Sequence, residues 1–72
     1  MISLWDENYL FAVNFKIILL IDLKSDKIIK SLTKHKNDVN NIKTIFLPQY
    51  RKCLLSQDCE GIIVWGKKKL NK

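Results

Sequence analysis

An all-β chain of short antiparallel strands is the architecture this sequence predicts, on three observations. Apolar runs are short and are cut by polar breaks at "LKSDK" (23–27), "KHKND" (34–38) and "LPQYRK" (47–52). Those runs are rich in Ile, Val, Leu and aromatic residues and show no sustained 3.6-residue period, which weighs against a helical bundle. The chain also repeats itself. "NYLFAVNFKIILLID" (8–22) lies over "KCLLSQDCEGIIVWG" (52–66) at an offset of 44 residues without a gap, and Asn14 falls on Asp58 at the turn between two apolar runs.

The strands are expected over 2–5, 9–14, 17–22, 28–33, 39–46, 52–56 and 62–66. The run 9–14 ends at Asn14, whose side chain can bond its own backbone and reverse the chain. Ile17 to Ile21 is aliphatic without alternation, the pattern of a strand covered on both faces. Ser25 and Asp26 then supply a second turn. The next run is diluted by Lys27, Lys30 and Ser31, as suits an outer strand with one wet face. Over 39–46 a helix competes, but Val39, Ile42, Thr44 and Ile45 favour a strand. Pro48 ends it, because proline cannot donate to a central ladder. The last two strands repeat the second and third. All links are short enough for antiparallel neighbours.

At 72 residues the chain holds one small domain, 47% hydrophobic and 28% charged, with formal net charge +6. A chain this short buries only about 60% of its unfolded surface, so its core is marginal without help. Cys53 and Cys59, if extended, lie roughly 20 Å apart, too far for a disulfide. They read as free, buried thiols in a reducing compartment rather than a zinc site, since His35 is the single histidine. No apolar run approaches the ~18 residues of a membrane span. Asp6 and Glu7 stand where a signal peptide needs positive charge. The expected setting is intracellular and cytoplasmic, with no membrane partner.

With these residues in view, the chain resembles the WD-repeat family of β-propellers, whose repeat runs about 40–45 residues with Gly-His and Trp-Asp signatures. "IDLKSDKIIKSLTKH" (21–35) is similar to the family's stretch from Trp-Asp to the next Gly-His. Ile21-Asp22 stands in the Trp-Asp place, Ser25-Asp26 at the Thr-Gly turn and Lys34-His35 at Gly-His. "HKNDVNNI" (35–42) keeps the spacing onward, and "LLSQDCEGIIVWG" (54–66) resembles the closing strand–turn–strand, with Trp65-Gly66 for Trp-Asp. No Gly-His or Trp-Asp pair is intact at its family position, and Trp5-Asp6 falls at the end of an inner strand, where the dipeptide is read as coincidence.

The resemblance implies one complete four-stranded blade over 2–33, three strands of a second over 39–66 and a basic tail over 67–72. That makes about 1.75 blades, where propellers close with roughly four to eight. It also implies a structural hydrogen-bond network of His35, Ser56, Asp58 and Trp65, since buried polar groups without partners cost free energy. An incomplete propeller leaves apolar faces open, so self-association through them is expected.

The function implied is a non-catalytic scaffold for protein partners, without a cofactor. The contact loops would be Asn14, Phe15 and Lys16; Ser25 and Asp26; Lys36 to Asp38; and Tyr50 with Arg51. Two alternatives are a small basic nucleic-acid-binding β domain and a truncated, non-functional propeller piece. Lys24, Lys27, Lys30, Lys34 and Lys36, with Lys67 to Lys69, would supply phosphate contacts. The aromatic residues sit in the strands and do not interleave with these lysines as a stacking platform requires, which weighs against nucleic acid. The sequence shows no Gly-rich phosphate loop, no metal-spaced His/Cys cluster and no Ser–His–carboxylate arrangement with supporting context, so no enzyme is expected.

Overall fold

A computed structural model describes residues 1–48 and 51–66. Seven strands follow one another: β1 (Ile2–Leu4), β2 (Tyr9–Asn14), β3 (Ile17–Asp22), β4 (Lys27–Leu32), β5 (Asn41–Leu47), β6 (Arg51–Asp58) and β7 (Gly61–Trp65). They form two antiparallel meanders, a first sheet ordered β1-β2-β3-β4 and a second ordered β5-β6-β7. The fold is all-β, and no helix among the described residues is long and apolar enough to cross a membrane. The tail 67–72 and Tyr50 lie outside the described residues.

Most strand ends fall within a residue or two of expectation. The two largest shifts are of two residues, and one is at β5, which begins at Asn41 instead of 39. Val39 sits in the connection, where its N–H donates to the Phe15 carbonyl at 2.8 Å while its side chain stays buried. An apolar residue can thus belong to the core without belonging to a strand. β6 runs on to Asp58, past the expected 56, because Gln57 and Asp58 still pair with Ile62 and Gly61.

Register decides which side chains share a face. Phe11 lies opposite Leu20, Val13 opposite Ile18, and Ile18 opposite Leu32, so these point one way from the first sheet. Ile42 lies opposite Ser56, Ser56 opposite Ile63, and Leu54 opposite Trp65 on one face of the second. The two faces meet. Phe11, Ile18, Leu20 and Leu32 join Val39, Ile42, Leu54 and Trp65 in one buried cluster. Each such side chain contributes about 1.5–3 kcal/mol on leaving water.

The seam between β1 and β5 is closed by polar contacts. Ser3 Oγ and Thr44 Oγ1 lie 3.4 Å apart, and Thr44 Oγ1 donates to the Leu4 carbonyl at 3.2 Å. The Lys52 ammonium donates to the Trp5 carbonyl and sits 4.7 Å from the Trp5 ring centroid. Trp5 in turn meets Phe11 edge to face at 5.6 Å.

Two expectations are corrected. β3 is not covered on both faces: Ile18 and Leu20 are buried, Leu19 and Ile21 are half-buried and Ile17 is exposed. The reason is that the second sheet covers one side of the first, and nothing among the described residues covers the other. The two cysteines are free, but only Cys53 is buried; Cys59 is exposed in the β6–β7 turn.

Candidate functional site

Three elements deliver the polar core. Ser56 and Asp58 are two residues apart on β6 and so share its inward face. Trp65 arrives on β7 opposite Leu54, and His35 comes from the connection between β4 and β5. All four expected network residues come together and all are buried. His35 Nδ1 lies 2.6 Å from Asp58 Oδ2, His35 Nε2 lies 2.6 Å from Ser56 Oγ, and Trp65 Nε1 donates to Ser56 Oγ at 2.8 Å.

For a neutral imidazole, the donors settle which ring nitrogen carries the proton. An indole N–H can only donate, so Ser56 Oγ accepts from Trp65 and has its own proton to give. His35 Nε2 at 2.6 Å is a far better acceptor for it than the Ile63 carbonyl at 3.5 Å. The neutral ring then carries its proton on Nδ1 and donates to Asp58. Asp58 spends its other oxygen on the turn, where Oδ1 accepts from Glu60 N–H at 2.7 Å and Gly61 N–H at 3.0 Å. The bond to His35, then that to Glu60, holds its carboxyl below the ordinary value of 3.8. Among the described residues no buried side-chain nitrogen or oxygen lacks a partner.

Within the expected network, Asp58, His35 and Ser56 are connected as in a serine nucleophile with its base and orienting acid. Here Ser56 is fully buried, and its oxygen already holds the Trp65 indole. A reacting carbonyl has no approach to it. What the four groups do is lock the connection, β6 and β7 to one another. Among the described residues no group of three or more His, Cys, Asp or Glu could hold a metal ion.

The expected contact loops divide between two ends. Asn14, Phe15 and Lys16 share an end with Lys36 and Asp38, tied by the bond from Val39 N–H to the Phe15 carbonyl. Ser25 and Asp26 lie at the other end, where Leu23 N–H donates to the Asn8 carbonyl. Arg51 starts β6 at that same end, next to Lys52 and its contact with Trp5. The lysines divide likewise: Lys24 and Lys27 flank the β3–β4 turn, while Lys34 and Lys36 follow β4. Phe15 stands out, being 74% exposed and held at φ 55° in a two-residue turn. That backbone region suits Gly or Asn and strains a bulky residue.

Sequence reasoning missed the work of Trp5, Asp6 and Lys52. Asp6 Oδ1 accepts from Asn8 N–H at 2.7 Å and Tyr9 N–H at 3.0 Å, the same turn that Asp58 makes. An Asp between two apolar runs, followed by polar residues, was the available signal. No protein-family model, curated protein or solved structure matches this chain.

Proposed function

We propose that the chain is part of a β-propeller of the WD-repeat kind and acts as a non-catalytic scaffold for protein partners. The observation that carries this reading is the closed His35–Ser56–Asp58–Trp65 network at the positions where the resemblance asks for it. Two sheets of sequential antiparallel strands, packed face to face, support it further. The partner surface is the end that carries Phe15, Lys16, Lys36 and Asp38. An exposed aromatic in a strained turn gives this chain no packing in return for its cost, which suits a side chain kept for contact with another protein.

The test is affinity capture from the native cell extract with the unaltered chain, Phe15→Ala and Ser25→Ala. A partner retained by the first and third and lost by the second is the expected result. Equal retention by all three, or none, overturns the assignment of this end. Titration with single-stranded oligonucleotide at low salt is expected to show no binding, since phosphate contacts would be strongest there.

A further inference from the structure

Both outward faces of the molecule carry exposed apolar side chains, although on the second Asn41, Lys43 and Gln57 lie among them and Cys53 is fully buried. On the first sheet, Leu4, Leu10 and Ile21 form one cross-strand row, and Ile2, Ala12 and Leu19 a second. Ile2 and Leu4 are 67% and 64% exposed. On the second sheet the outward face carries Ile45, Leu55, Ile62 and Val64, with Ile62 57% exposed. Apolar side chains left partly open on two opposite sides ask for a cover.

The internal repeat says what fits. At the 44-residue offset, Leu10, Ala12, Leu19 and Ile21 on the outward face of the first sheet match Leu54, Ser56, Ile63 and Trp65 on the inward face of the second. Phe11, Ile18 and Leu20, inward on the first sheet, match Leu55, Ile62 and Val64, outward on the second. The two open faces are therefore the counterparts of the two halves of the interface that already joins the sheets. Three of the polar network residues are replaced on the outward side by Ala12, Asn14 and Ile21, so most of that face can be covered without burying a new polar group.

We infer that a second copy of this chain docks head to tail, the outward face of its first sheet on the outward face of the second sheet, reproducing the internal sheet–sheet packing. This rests on register and repeat and goes beyond the scaffold reading. The contact is heterologous, so each copy presents two different surfaces and the series either closes into a ring or continues.

Register fixes where the copies touch. Ile2 pairs with Ala12, and Ile42 pairs with Ser56, the counterpart of Ala12. Ser3 and Leu4 thus correspond to Lys43 and Thr44. Within the chain Ser3 meets Thr44. Between copies, Lys43 of one meets Leu4 of the next. Lys43 is exposed, and Asp6 and Glu7, just past Leu4, are exposed too, so opposite charges meet at that point.

Magnitude decides between an open pair and a closed assembly. Three strands of six residues and one of three cover roughly 340 Å² of flat sheet. A standard interface buries about 800 Å² per partner. A single contact is therefore weak, and a closed ring in which every copy uses both faces is favoured.

Disulfide trapping tests the register. Leu4→Cys and Lys43→Cys are made separately in a Cys59→Ser background and mixed in equal amounts under mild oxidation. Both sites are exposed, so folding is preserved. The expected product is the mixed Leu4→Cys/Lys43→Cys dimer, well above the half share that random pairing gives. A statistical mixture, an excess of either homodimer or no dimer overturns the proposal. Sedimentation equilibrium of the unaltered chain is the second measurement: a discrete oligomer is expected, and a monomer up to high micromolar concentration overturns it.

Discussion

Asp58 couples the buried network to solvent acidity. Its carboxyl titrates below 3.8 in the folded chain and near 3.8 when unfolded, so the unfolded chain takes up the proton first as pH falls. Its stabilising contribution is complete above that ordinary value and is lost as pH drops through the lower, folded one. Asp58→Asn is expected to lower stability at neutral pH and to flatten the loss of stability below pH 3.8, read from urea unfolding across an acid pH series. Phe15 makes the opposite case. Its left-handed backbone costs about 1–2 kcal/mol in an L-residue, while glycine loses about 0.5–1 kcal/mol in chain entropy. Phe15→Gly is expected to raise stability by about 0.5–1 kcal/mol in a denaturant melt, while removing the aromatic contact proposed for a partner.

β3 shows what a run of aliphatic residues can and cannot say. Ile17 to Ile21 marked a strand correctly, because short aliphatic runs rich in isoleucine between turn residues favour a strand. How much of it is covered depends on neighbours that periodicity does not name. β5 was legible as a strand and misplaced at its start, because Val39 is apolar for the sake of the core and not of the ladder. The four network residues were legible through resemblance. The seam was not, since Lys52 reads as surface charge until Trp5 is placed under it. A cation over an indole contributes about 0.5–1 kcal/mol at a partly exposed site. Lys52→Ala is expected to lower stability by at least that much, measured by thermal or urea unfolding, since the bond to the Trp5 carbonyl is lost as well.

Two stacked sheets joined through eight buried side chains make a small core for a chain of 72 residues. Docking of further copies, as proposed, would add burial where the chain is short of it. Anything that binds only the folded form raises apparent stability by mass action. The melting temperature is therefore expected to climb with protein concentration, checked by scanning calorimetry over a dilution series; a constant value counts against assembly. Self-association was expected from the incomplete propeller that the resemblance implies; the proposal of face to unlike face came only once register had sorted each strand into two sides.

The two tryptophans occupy unlike settings. Trp65 is buried and gives its indole proton to Ser56, while Trp5 is half-buried under the Lys52 ammonium and beside Phe11. The molecule therefore carries two native optical reporters, one for the polar core and one for the joint between sheets. Replacing either with phenylalanine leaves the other to emit alone. The order in which the network opens and the sheets part can then be followed in the light of a single residue.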